Sequence, residues 1–429
     1  MRPAVSRAVG ALLTSPRRRR LARRLRGLPR ALRITQPTVE YFHQVDDPYS
    51  HLAAQLLAPL AKRYGVGVRA WLVGPPNNAA APERARLRAY ALRDAPRVAA
   101  KYGLSFPSDA TQPDAQEVSW ASAALAGVSK PDDVPAMAVA VGTALWGGDR
   151  ERLRELAADG RFGPAAAAAG NAERARLGHY LSAMLYFEGE WYWGVDRLNH
   201  LEERLASLGL DSRVGEPPIA AYREVRLAPP PPSAEKAMIE VWFSFRSPYS
   251  WIAFPRLRQL AHHHGADLRL RYILPMVMRG LPVPRIKSTY IMLDAKREAE
   301  RAGLPFGRMV DPVGIGVERA LAVLHHAVPL GLGEEFAERA LRAAFAEGVD
   351  LAQDAGLHAV ARAAGLDDAQ IVAALADPSW RETAEENRKA LLDAGLWGAP
   401  TYRVDGGPAH WGQDRLWALE QDLLAAASR

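Results

Sequence analysis

The chain has 429 residues, 48% hydrophobic and 24% charged, an ordinary globular composition with room for more than one core. It contains no cysteine, which excludes disulfides, thiolate metal sites and a redox couple borne by the protein itself. The formal charge of +7 conceals a split: residues 1–39 carry eleven arginines and no acid, so the remaining 390 residues sum to −4.

Residues 1–35 therefore read as an Arg-rich, disordered and solvated leader. An arginine run can bind anionic lipid or nucleic acid through surface potential or counterion release. No aromatic residue precedes Tyr41 to stack on bases or anchor in a membrane, so no specific nucleic-acid partner is expected. The leader has neither the apolar core nor the small-residue cleavage site of a secretory signal, which gives a cytoplasmic expectation. No apolar stretch approaches the roughly 18 residues needed to cross a bilayer.

Residues 36–224 are expected to form a first domain. Its opening strand ends at Asp47-Pro48-Tyr49-Ser50, a helix follows to Gly65, and Val66 to Val73 reads as a second strand. Pro229 to Pro232 lie in a Pro-rich linker, 225–236, that reads as a stiff polyproline-type spacer. In a second domain, 237–429, Ile239 to Phe245 reads as a buried strand running into Ser247-Pro248-Tyr249-Ser250. That tetrapeptide is a Cys-Pro-x-Cys redox motif with serine in both cysteine positions. Helical spacing covers 249–263, Gly265 ends the helix, and Leu268 to Leu274 alternates as a strand. Residues 288–396 are rich in alanine and leucine and read as helical. Thr401 to Val404 and Ala409 to Trp411 form a closing hairpin around Asp405-Gly406-Gly407, and a last helix is expected to begin near Asp414.

The two halves match each other. Val39 to Leu52 and Ile239 to Ile252 share a glutamate and the Pro-Tyr-Ser core, and Tyr90 to Phe106 agrees with Tyr290 to Phe306 at eight of 17 positions. Trp193-Gly-Val-Asp-Arg-Leu198 and Trp411-Gly-Gln-Asp-Arg-Leu416 match at an offset of 218 instead of 200. Three matches in one order imply a duplicated domain. At the offset of 218, Ser182 falls on the position of Pro400.

Three separated motifs in the second half are Phe245-Arg-Ser-Pro-Tyr-Ser-Trp251, Gly398-Ala399-Pro400-Thr401 and Trp411-Gly-Gln-Asp-Arg-Leu416. With the β-α-β and β-β-α layout, they resemble the DsbA-like branch of the thioredoxin superfamily. More narrowly, this half is similar to 2-hydroxychromene-2-carboxylate isomerases and kappa-class glutathione transferases. The resemblance implies an α/β fold of two tandem thioredoxin-like (DsbA-type) domains, each with an α-helical insertion between its βαβ and ββα units. It implies glutathione as cofactor and Ser247 as the residue that contacts the glutathione sulfur. It places Ala399 beside the cysteinyl part next to a cis Pro400, with Gln413 and Asp414 at the γ-glutamyl end. The Gly-Asn pair usual after the second strand is absent from Pro275 to Lys287, where Arg285 or Lys287 are the available substitutes.

The chemistry suits those residue types. A thiol must ionise to act, and both a helix N-terminus and a hydroxyl donor favour the thiolate. Ser247 is equally an ordinary N-cap, Asp414 a capping carboxylate, and Pro400 a trans proline at a strand edge. Asp47 would set a negative charge against a thiolate, so the first domain reads as degenerate. His262-His263-His264, His325-His326, His410 and the Trp191-Tyr192-Trp193 run read as structural, and no metal site is expected.

These features favour a glutathione-dependent isomerase or transferase acting on a small electrophilic substrate, aromatic or otherwise. The alternative is a non-catalytic binding module with both sites degenerate. A disulfide oxidoreductase would need a thiol the chain lacks. Single-domain relatives often pair, so the fused copy is expected to serve as an internal partner or to accompany a homodimer.

Overall fold

The computed structural model describes residues 3–32, 34–128, 130–222, 224–229 and 236–428. The chain divides into two compact units: Arg20–Tyr222, and a second built from Met1–Arg19 with Arg223–Arg429. Among the described residues each unit holds one four-stranded mixed sheet. The N-terminal unit orders its strands β2-β1-β3-β4, from β1 (Thr38–His43), β2 (Gly67–Leu72), β3 (Met184–Phe187) and β4 (Glu190–Trp193). The C-terminal unit repeats that order as β6-β5-β7-β8, from β5 (Met238–Phe243), β6 (Asp267–Tyr272), β7 (Thr401–Val404) and β8 (His410–Trp411).

In both units the first pair is parallel and the other two are antiparallel. A parallel neighbour needs a crossover, and the helix after each tetrapeptide supplies it. In the C-terminal unit that helix is Pro248–His263 and stays continuous through Pro255; in the N-terminal unit it is broken into Pro48–Ala54 and Leu57–Tyr64. β5 is buried from Ile239 to Phe243 because both its faces are covered, which explains a run that is apolar except for Glu240 in place of alternation. Phe243, Trp251 and Phe254 lie in one core with Phe336 and Tyr402, all at most 1% exposed. Each such side chain contributes about 1.5–3 kcal/mol by leaving water.

The sequence repeat carries a repeated contact. Tyr49 donates its hydroxyl to the Asp94 carboxylate at 2.7 Å in one unit, and Tyr249 donates to Asp294 at 2.8 Å in the other. The last helices do likewise: Glu202 accepts the amides of Ile219 and Ala220, and Glu420 those of Arg226 and Ala228.

Two expectations need correction. The leader expected to be disordered is helical over Pro3–Leu13, Pro16–Arg26 and Leu28–Ala31. Its first helix packs into the C-terminal unit, where Gly10 lies so close to Gly307 and Met309 that a Cβ would sit 2.7 Å from the methionine methyl, and Arg7 donates to the Gly348 carbonyl. The linker is no free spacer through Ala228, since Glu420 holds the backbone there; Pro230, Pro231 and Pro232 lie outside the described residues. The last helix begins near Asp414, as expected: a 3-10 turn, Gln413–Arg415, leads into the helix at Leu416.

Candidate active site

Strand β5 delivers the chain to Ser247, an extended N-cap residue (φ −94°, ψ 113°) for the Pro248–His263 helix. Pro248 suits the first helical position, where no amide hydrogen is needed. The Ser247 Oγ accepts the Ser250 amide at 3.2 Å and donates to the Ala399 carbonyl at 3.1 Å, a contact across 152 residues. The N-cap reading and the proximity to Ala399-Pro400 are therefore both true of one hydroxyl.

The Ala399–Pro400 peptide bond is cis. β7 starts at the next residue, where Thr401 pairs with Trp242 on one side and Trp411 on the other. Trp411 lies over Gly398, where an added Cβ would meet its indole at 2.5 Å, and packs 4.8 Å from Trp397. Only glycine fits under that indole. Pro400 is buried while Ala399 is half-buried, so Ala399 is the member of the pair that reaches the surface beside Ser247.

Gln413 does not stand open to a ligand. It is 1% exposed; its side-chain carbonyl accepts Arg256 at 2.9 Å and its amide donates to Glu298. Both ends of the amide are satisfied by buried partners, so the side chain of Gln413 is engaged within the domain. Asp414 is half-buried, with its carboxylate folded back over Gly412 and 3.5 Å from Arg415. Gly412 donates to the Pro400 carbonyl at 3.0 Å, so the turn that carries Asp414 is tied to the Ala399-Pro400 loop.

Two residues that the sequence reading passed over belong to this region. The Tyr402 hydroxyl is buried with no hydrogen-bond partner among the described residues. Burial pushes its pKa well up, with Arg256 opposing and Asp414 adding to the shift, so both charges lie near it. Arg256 carried one available signal, a cation inside the apolar pattern of a buried helix. Lys287, weighed as a substitute ligand contact, lies in the first turn of the Arg285–Arg301 helix; burial lowers its ammonium to about 8.

The matching place in the N-terminal unit is chemically inverted. Asp47 caps the Pro48–Ala54 helix, accepting the Tyr49 amide at 3.2 Å, the Ser50 hydroxyl at 2.8 Å and the Ser182 hydroxyl at 2.9 Å. Burial raises its carboxyl to about 6, against those three hydrogen bonds. Strand register also corrects the assignment of Ser182 to the Pro400 position. Phe42 pairs with Met184 where Trp242 pairs with Thr401, so Ala183 takes the place of Pro400 and Ser182 that of Ala399. The Gly194 amide bonds to the Ala183 carbonyl as that of Gly412 does to Pro400. The offset changes from 217 to 218 within the hairpin, whose connection is shorter in the first unit.

Three of the histidines and two of the tryptophans have structural partners. His263 lies 2.9 Å from the Ala228 carbonyl, His325 bridges Tyr272 and Ser379, and His410 lies 2.6 Å from Asp422. Trp191 donates to the Leu177 carbonyl, and Trp193 packs edge-on against Tyr49.

The DsbA-like thioredoxin domain family matches residues 238–424. The chain is similar to the 2-hydroxychromene-2-carboxylate isomerase of Pseudomonas putida, 25% identical over 194 residues that span 43% of this chain and 94% of that protein. The isomerase of the same name from Pseudomonas sp. (strain C18) is 22% identical over 198 residues, 44% of this chain and 91% of its own. A solved structure of 2-hydroxychromene-2-carboxylate isomerase aligns at 24% identity and a TM-score of 0.37, covering 43% of this chain and 93% of that one. With the strand order of its sheet and the serine-capped helix beside the Ala399-Pro400 loop, residues 238–424 form a DsbA-like thioredoxin domain.

Proposed function

We propose that the C-terminal domain is a glutathione-dependent isomerase or transferase acting on an electrophilic organic substrate. The observation that carries this reading is the Ser247 hydroxyl, held at a helix N-terminus and bonded to Ala399 beside Pro400. The names of the two Pseudomonas relatives support the isomerase half of it. Dithiol exchange is closed to a chain without cysteine.

The residues present suit glutathione at its sulfur end. A hydroxyl proton is a rotor, so Ser247 can turn its O–H from the Ala399 carbonyl to an anion while its oxygen still accepts from Ser250. The helix N-terminus adds partial positive charge. Among the described residues no carboxylate hydrogen-bonds to Ser247, whereas the matching cap in the other unit, Asp47, is itself a carboxylate. Bound glutathione would supply a nucleophilic thiolate. Ala399 would border its cysteinyl part, and the Asp414 carboxylate would hold its α-amino group. Gln413 fits less well, and its role becomes that of a strut between Arg256 and Glu298.

The satisfied Gln413 amide favours a second reading, a non-catalytic binding module. Ultraviolet absorbance of the thiolate, followed against pH with glutathione present, separates the two. The enzyme reading expects the bound thiol to titrate at least about one unit below the free thiol, with Ser247→Ala returning it toward the free value. An unshifted thiol in the wild type contradicts it.

A further inference from the structure

The helix Pro16–Arg26 is followed, after a turn at Gly27, by the short helix Leu28–Ala31; the Gly27 amide bonds to the Arg23 carbonyl, and those of Ala31 and Leu32 to the carbonyls of Gly27 and Leu28. At 1.5 Å per residue the first of them is about 16 Å long. One face is pinned by charge to the β3–β4 turn. Arg23 forks onto Glu190 at 2.9 and 3.0 Å, Arg26 donates to the Gly189 carbonyl at 2.9 Å, and Arg30 meets Glu188 at 2.8 Å. Spaced i, i+3 and i+7, these arginines share one side of the helix.

The opposite side is apolar and faces water. Leu21, Leu25, Leu28 and Leu32 are spaced i, i+4, i+7 and i+11 and are 48–67% exposed. A surface helix ordinarily buries its leucines; this one leaves them in water. Arg20 and Arg24 flank the leucine stripe, both are exposed, and their guanidinium groups have no ion pair among the described residues.

We propose that this face docks on a bilayer surface containing anionic lipid. The leucines would enter the acyl boundary while the flanking arginines snorkel to headgroup phosphates. Nucleic acid would satisfy the arginines but leave the leucines in water, and the helix offers no aromatic for stacking. A second copy of the chain would cover the leucines only by setting like charges against each other. Anionic lipid alone matches both features. The mode is surface binding, since among the described residues no helix is long and apolar enough to cross a membrane.

The test is flotation of the full-length chain with vesicles of phosphatidylcholine mixed with phosphatidylglycerol, and with pure phosphatidylcholine vesicles. The wild type is expected to float with the mixed vesicles alone, less so as salt rises. Leu21→Ser/Leu25→Ser/Leu28→Ser and Arg20→Gln/Arg24→Gln should each weaken binding by about tenfold or more. All five positions face solvent, so an unchanged thermal melt is expected for both variants. Failure to bind mixed vesicles, or binding that survives loss of the leucines, overturns the proposal. So does binding to duplex DNA as tight as to the mixed vesicles, or self-association that the leucine variant abolishes in a chain that ignores vesicles. The result does not depend on whether glutathione binds.

Discussion

Ser182 donates its hydroxyl to the Asp47 carboxylate at 2.9 Å, in the place where the other unit has the Ser247 hydroxyl donating to the Ala399 carbonyl at 3.1 Å. The same two chain positions meet, but the polarity is reversed: the helix cap is an acceptor in one unit and a donor in the other. A carboxylate at the cap repels a thiolate and raises its pKa. Glutathione should therefore bind at one site per chain, and the N-terminal unit, produced as part of the full chain with Ser247→Ala, should show no thiolate signal. Two equivalent sites per chain would refute that division of labour.

The pH dependence of stability should be set by the N-terminal unit. Burial, then the neighbouring charge of His51, lowers His43 from 6.5 to about 3, and burial lowers His51 to about 4. Between about pH 4 and 6.5 the unfolded chain binds these protons and the folded chain does not, so stability falls as the pH falls. Asp47, raised by burial from 3.8 to about 6, acts in the opposite sense: its contribution is full below about pH 4 and is lost as the pH rises through 6. Two histidines outweigh one carboxyl, giving a net loss of roughly 3 kcal/mol on acidification across that window. Urea unfolding at a series of pH values should show it, and Asp47→Asn should steepen the fall. A stability maximum below pH 5 would count against this assignment.

Much of the C-terminal site was legible because its signals are local. A serine followed by proline at the end of an apolar run marks a helix cap, and a proline ahead of a short strand marks the loop that faces it. The fate of Gln413 was not legible, because its partners Arg256 and Glu298 lie 157 and 115 residues away and no spacing rule connects them. The one-residue slip that replaces Ser182 with Ala183 comes from a shorter hairpin connection, which a fixed sequence offset cannot register. The leader was misread for a related reason: its arginines suggest a solvated tail until Glu188 and Glu190, about 160 residues on, supply the counter-charges.

The Tyr249–Asp294 bond ties the first helix of the C-terminal domain to the Arg285–Arg301 helix, and Asp294 is 1% exposed. Tyr249→Phe should cost about 1–3 kcal/mol in chemical denaturation, since it removes a donor to a buried carboxylate. Tyr49→Phe should cost a similar amount through Asp94. A neutral effect of both changes would mean that the repeated pair does not stabilise the fold.

Glu420 holds the Arg226 and Ala228 amides at 3.0 Å. Glu420→Gln can satisfy one of these donors and Glu420→Ala neither. Hydrogen exchange at those two amides should accelerate in that order, by about fivefold to tenfold for each hydrogen bond lost. Unchanged protection in the alanine variant would show that the segment is held by other contacts.

The central claim is that Ser247 stabilises a bound thiolate, and calorimetric titration of glutathione tests it most directly. The account predicts binding to the wild type at millimolar glutathione and a loss of about tenfold to a hundredfold in affinity for Ser247→Ala, the worth of one hydrogen bond to a charged group. No binding to the wild type, or binding that Ser247→Ala leaves unchanged, would contradict it.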